Sequence, residues 1–188
     1  MTDTDFTGRR ILAIVSNQGV EQDELKVPMQ HLTEGGAHVD VAAVSKETIR
    51  TLVGDTDPGE TFEPTTTIAE TDPAAYDLLL IPGGTLNADT LRQQERAVAI
   101  ARAFIEAGKP TAVICHGPWI LVETGALTGK HLTSYPSLQT DVRNAGGVWV
   151  DESVVVDDRG WTLITSRSPK DLPDFTAAID RVLSAVPA

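Results

Sequence analysis

The sequence predicts an α/β fold, with a mainly parallel central sheet and helices on both faces. Short apolar runs rich in β-branched residues recur along the chain with helix-patterned segments between them, as parallel strands joined by crossover helices require. Several of these runs stop abruptly at loops that expose backbone: Asn17-Gln18-Gly19, Pro82-Gly83-Gly84 and Cys115-His116-Gly117-Pro118. A chain of 188 residues, 41% hydrophobic and without a low-complexity linker, is expected to form one domain over residues 1–188.

Taken in order, the first strand runs from Ile11 to Ser16, and a helix from about Asp23 to Glu34 follows, stopped by Gly35-Gly36. Val39 to Val44 reads as the second strand. The stretch from Lys46 to Thr71 alternates weakly and carries Gly54, Asp57-Pro58-Gly59 and Pro64, so hairpins and turns at a sheet edge are expected, without chemistry. Leu78 to Ile81 is a buried strand ending at Pro82, and a helix from about Asp89 to Ala107 follows it. Thr111 to Ile114 is the next buried strand. Pro118 then sits near the first position of a helix reaching about Thr124, where its missing N–H costs nothing. Val154 to Val156 and Thr162 to Thr165 read as a late hairpin around Asp157-Asp158-Arg159-Gly160, and the last helix covers about Leu172 to Val186.

Composition narrows the function. Fifteen basic against twenty-seven acidic residues give a formal charge of −12, which repels nucleic-acid backbones and anionic membranes, so neither is expected as a partner. The opening Met-Thr-Asp-Thr-Asp lacks the basic and apolar character of a secretory leader, and no apolar run approaches the roughly 20 residues of a spanning helix. The cytoplasm is the expected compartment. One cysteine forms no internal disulfide, and four scattered histidines lack ligand spacing, so neither metal nor other cofactor is expected.

The chemistry collects at the C-terminal ends of the strands, where open α/β sheets bind ligands. Cys115 lies between a buried strand and a helix, where free N–H groups favour a thiolate. Most lone cysteines are small core hydrophobes, but Gly117-Pro118 ends the strand at once and puts Cys115 on a loop. The turn resembles a nucleophile elbow, in which the next N–H, that of His116, faces a developing oxyanion. Gly84 is expected to supply the second N–H, brought close because neither Gly83 nor Gly84 has a side chain. His116 is the expected base or proton relay and needs an orienting partner. Asp89 could orient it or simply cap the following helix. Glu21 and Glu24 open the first helix, where the ordinary reading is solvated first-turn acids. Trp119 either walls the site or packs its helix.

With these residues in hand, the run Ala-Val-Ile-Cys-His-Gly-Pro (112–118) resembles the ThiJ/PfpI superfamily, most closely its intracellular protease I (PfpI) branch. Supporting segments are Glu21 to Pro28, Ile81 to Gly84, Gly108 to Pro110, Thr133 to Pro136, Asn144 to Gly146 and Thr165 to Leu172, so the likeness covers nearly the whole chain. The resemblance implies a flavodoxin-like sandwich, usually a homodimer and in some members a higher oligomer. It implies that Glu24 carries a proton and lies against the cysteine. It also implies a Cys-His-acid triad completed by an acid from a neighbouring subunit; a gap-free match puts Ala88 there, and one inserted residue restores Asp89. Trp119 stands where relatives usually have glutamine.

Two functions follow. In the first, Cys115 attacks a carbonyl, His116 and Glu24 move protons, and the N–H groups of Gly84 and His116 hold the oxyanion, with Glu21, Gly83 and Trp119 lining the site. The substrate is a small carbonyl or peptide: peptidase-like hydrolysis, or glyoxalase and deglycase chemistry on dicarbonyls and their adducts. In the second, Cys115 is a redox sensor in a stress-response protein or holdase, oxidised to sulfenic or sulfinic acid without turnover.

Overall fold

The computed structural model describes residues 5–185. The elements in chain order are β1 (Arg10–Val15), β2 (Gln18–Glu21), α1 (Gln22–Glu34), β3 (His38–Ala43), β4 (Ile49–Val53), β5 (Asp57–Phe62) and β6 (Thr66–Thr67). They continue with β7 (Leu78–Ile81), α2 (Thr85–Arg92), α3 (Glu95–Glu106), β8 (Thr111–Ile114) and α4 (Pro118–Thr124). The last are β9 (His131–Leu132), α5 (Gln139–Asn144), β10 (Val148–Trp149), β11 (Val154–Asp157), β12 (Leu163–Ser166) and α6 (Leu172–Ala185). The expected end of the final helix at Val186 lies outside the described residues.

The main sheet has the order β11-β12-β8-β7-β1-β3-β6, parallel throughout except for β11, which pairs antiparallel with β12. Successive strand residues point to opposite faces, so each central strand feeds two cores. Ile11, Ala13 and Val15 of β1 pack with Leu78, Leu80, Leu25 of α1 and Phe175 and Ile179 of α6. Leu12 and Ile14 pack with Leu79, Ile81, Ile100 and Phe104 of α3, Leu121 of α4 and Val142 of α5. This is the α/β sandwich the sequence predicts.

Two expectations need correction. The helix expected over Asp89 to Ala107 is two helices: α2 begins at Thr85, and the chain breaks at Gln93 and Gln94, the latter in extended backbone. No glycine or proline marks that break. The segment from Lys46 to Thr71 does not merely decorate the main sheet, to which it gives only β6. Its β4–β5 hairpin joins β2 in a separate three-stranded sheet. The N–H of Arg50 bonds the carbonyl of Asn17, just past the C-terminal end of β1, so this small sheet stands beside the ends of the main strands.

Candidate active site

Cys115 occupies the turn between β8 and α4 with φ of +62°, a left-handed backbone that among described non-glycine residues only Asp55 shares. Such a conformation costs roughly 1–3 kcal/mol and persists only when its surroundings impose it. Here the Cys115 N–H donates to the Ser166 carbonyl at 3.0 Å and its carbonyl accepts from the Tyr135 N–H at 2.8 Å. The N–H of Gly117 closes the turn onto the Ile114 carbonyl.

The loop after β7 reaches this turn closely enough to exclude side chains. A methyl on Gly83 would lie 2.7 Å from Cys115 Cβ and 2.6 Å from a Glu24 oxygen. Gly84, with φ of +87°, would drive one into the Gly19 carbonyl. The N–H groups of Gly84 and His116 both face the sulfur and favour its anion.

Glu24 is not a solvated first-turn acid; it is fully buried. One carboxyl oxygen accepts the Gly83 N–H at 2.8 Å, while Oε1 has no nitrogen or oxygen partner, and the Cys115 thiol lies within hydrogen-bonding reach of the carboxyl. Burial pushes Glu24 up to about 8, so it holds its proton at neutral pH. Burial pushes the Cys115 thiol up and the N–H groups of Gly84 and His116 bring it down, while a Glu24 that keeps its proton offers the sulfur a donor instead of a repelling charge. Burial at this turn therefore works against the thiolate that its N–H groups favour.

His116 Nδ1 lies 3.2 Å from the sulfur. Its Nε2 lies 3.4 Å from Thr85 Oγ1 and 3.3 Å from Ser137 Oγ. Tyr135 stacks on the imidazole at 4.6 Å between centroids, and Trp119 meets it tilted at 5.4 Å. Burial lowers the His116 pKa, opposed by the negative charge of Asp55. A neutral imidazole at this distance from the sulfur is placed to take the proton of the thiol.

The remaining expected residues are placed as follows. Glu21 is buried beside the site, but its carboxylate accepts the N–H groups of Gly54 and Asp55, both at 3.0 Å, and so holds the β4–β5 turn. Trp119 donates its indole N–H to Asp141 at 2.8 Å and lies beneath the Arg92 guanidinium, so it both packs its helix and borders His116. Asp89 is exposed on α2, takes a hydrogen bond from Gln93, and is not a partner of His116 within the chain. Thr85, Asp55, Tyr135 and Ser137 were not singled out as site residues in the sequence. Gly54-Asp55 signalled a turn, but nothing local tied that turn to Cys115. Among the described residues, no group of three or more His, Cys, Asp or Glu side chains could hold a metal ion.

The DJ-1/PfpI family model matches residues 9–181. The chain belongs to the DJ-1/PfpI family. It is similar to Deglycase TK1284 of Thermococcus kodakarensis, 40% identical over 159 residues, covering 85% of this chain and 90% of the relative. It is similar to Deglycase PfpI of Pyrococcus furiosus, 39% identical over 163 residues, covering 87% and 92%. Among solved structures, Drosophila melanogaster DJ-1beta superimposes with a TM-score of 0.83 at 28% identity, covering 95% of this chain and 91% of that one. These likenesses support a PfpI-type enzyme on the flavodoxin-like scaffold that this family shares.

Proposed function

We propose that this chain is a cysteine-dependent enzyme of the deglycase and glyoxalase type, acting on small dicarbonyls and their adducts. The observation that carries the reading is the Cys115 elbow. A strained nucleophile sits 3.2 Å from a neutral histidine, beside a protonated buried carboxyl, with two N–H groups turned toward the sulfur. Cys115 adds to an aldehyde carbon, its proton passing to His116 Nδ1 while the carbon–oxygen π bond opens to an oxyanion. Glu24 and the N–H groups of Gly84 and His116 surround that adduct and stabilise it. Cys115 is only 5% exposed and His116 is as buried, which favours a small carbonyl over a peptide backbone. The names of the two relatives support the same reading.

The test is lactate formation from methylglyoxal and water by the reduced protein, run beside Cys115→Ala. Lactate that depends on Cys115 is expected. None from a protein whose thiol is demonstrably reduced would overturn this reading and leave acyl hydrolysis or oxidation. We further propose that the chain works in the cytoplasm as a homodimer; Leu86, 53% exposed on α2 next to Thr85, supports the dimer. Asp89, exposed one turn along, is then free to reach a partner's site.

One observation favours the redox reading as a second function. Protonated Glu24 has an unpartnered oxygen beside the sulfur, a ready hydrogen-bond donor to a sulfinate. Mild peroxide would then add one or two oxygens to the Cys115 peptide by mass, and an unmodified thiol would remove this reading.

A further inference from the structure

Asp55 lies in a segment expected to hold no chemistry, yet it makes two bonds at the edge of the site. Its Oδ1 accepts the Thr85 N–H at 2.7 Å and its Oδ2 accepts the Thr85 hydroxyl at 2.8 Å. A carboxylate can only accept, so the single hydroxyl proton of Thr85 is committed to Asp55. The lone pairs of Thr85 Oγ1 are what remains to face His116 Nε2, 3.4 Å away. We propose that Asp55, acting through Thr85, is the residue that orients His116: it places the ring proton on Nε2 and leaves Nδ1 as the acceptor for the Cys115 proton. The proposal rests on the enzymatic reading above and supplies, within one subunit, the orienting acid that the sequence sought at Asp89.

The turn is built to hold Asp55 there. Its φ is +62°, and the Glu21 carboxylate fixes it by accepting the N–H groups of Gly54 and Asp55. Glu21 thus positions the acid instead of touching the reacting atoms. When the thiol ionises, its proton moves to Nδ1 and the sulfur keeps the electron pair. The imidazolium so formed still donates Nε2–H to Thr85, whose oxygen is polarised by Asp55. The ionisable groups around His116 are Cys115 at Nδ1, Glu24 beyond the sulfur, Asp55 behind Thr85, Tyr135 on one face, and Asp141 with Arg92 behind Trp119. Ser137 also reaches Nε2, but its hydroxyl is free to rotate and accept.

A structural role for Asp55 as a cap on α2 predicts different results, because the cap uses the Thr85 N–H and the relay uses its hydroxyl. In Asp55→Asn, the Thr85 N–H still requires an oxygen, so the amide NH₂ faces Thr85 Oγ1 and reverses the hydroxyl. That hydroxyl then donates to Nε2 and moves the ring proton to Nδ1. The experiment is ¹⁵N NMR of the His116 ring together with the pH profile of Cys115 alkylation by iodoacetamide, on Asp55→Asn, Thr85→Val and Thr85→Ser. Wild type is expected to carry the Nε2–H tautomer and Asp55→Asn the Nδ1–H tautomer. Alkylation at neutral pH should fall about tenfold or more in Asp55→Asn as the proton acceptor is lost. It should fall in the same direction in Thr85→Val, which keeps the cap, and return in Thr85→Ser. An Nδ1–H tautomer in wild type, or an alkylation profile that Asp55→Asn and Thr85→Val leave in place, overturns the proposal. Neither readout uses a substrate, so a protein that makes no lactate but shows the tautomer switch refutes the enzymatic reading alone. A protein that makes lactate without the switch refutes the relay alone.

Discussion

Replacing Glu24 with glutamine should change how stability depends on pH more than it changes stability at any one pH. The amide keeps the carboxyl's shape, can accept the Gly83 N–H through its oxygen, and can present NH₂ to the sulfur. What it removes is a titration. Glu24 ionises near its ordinary value of 4.5 in the unfolded chain and near 8 in the folded one. Between those values the native state binds the extra proton, so the slope of unfolding free energy with pH is negative. The stability that this proton contributes is fully present below pH 4.5 and is lost as pH rises through 8. An interval of that width corresponds to roughly 5 kcal/mol from one group. The Cys115 thiol is also raised, from an ordinary value of 9.0 that touches only the top of this range, and it is present in both proteins. The assay is urea unfolding of wild type and Glu24→Gln from pH 4.5 to 8.5, at one protein concentration and under reducing conditions. The difference between the two curves should shift in favour of glutamine by several kcal/mol across that range. Parallel curves would show that Glu24 ionises normally in the fold and would refute its assignment as the protonated member of the site.

Two further predictions concern packing. Gly83→Ala places a methyl against Cys115 Cβ, a Glu24 oxygen and the His116 N–H, all closer than 3.0 Å; a loss of roughly 1–3 kcal/mol is expected, and an unchanged melting temperature would show that the loop moves freely. Lys130 is buried, and its ammonium donates to the carbonyls of Arg159 and Trp161 and to Asp157. Lys130→Met leaves the Trp161 carbonyl buried without its donor, while Asp157 keeps Arg159 and the His131 N–H, so its urea midpoint should fall by an amount corresponding to roughly 1–3 kcal/mol, and a neutral result would mean that water replaces the ammonium.

What was legible in the sequence was whatever one loop could encode. Cys115, His116 and Gly117-Pro118 are contiguous, and Gly83-Gly84 ends the adjacent strand, so strand-end punctuation sufficed to bring these residues together. Glu24 was ambiguous from its surroundings, because an acid in a first helical turn is normally solvated; it is buried against a loop whose Gly83 N–H meets it from 59 residues away in sequence. Asp55 was illegible for a stronger reason. Its segment alternates weakly because the small sheet it forms has exposed or half-buried positions along β5, and polar alternation there gives no sign of what the turn faces. The break between α2 and α3 was hidden likewise, since Gln93 and Gln94 stop the helix without a residue whose own chemistry demands it.

The placement of charge in this site bears on how it can be selective. Burial holds the proton on Glu24 at neutral pH and disfavours both the His116 cation and the Cys115 thiolate. Asp55 stands outside that trio, half-buried, one hydroxyl away. A thiolate formed there needs an imidazolium beside it, and the imidazolium is favoured by the carboxylate through Thr85. On the relay proposed above, reactivity follows proton transfer from the sulfur to His116 inside a desolvated site. On the proposed reading, a small dicarbonyl presents its carbonyl oxygen to the N–H groups of Gly84 and His116. The charge of the adduct is then divided between those donors and the relay, which is the condition under which a raised thiol pKa becomes compatible with catalysis.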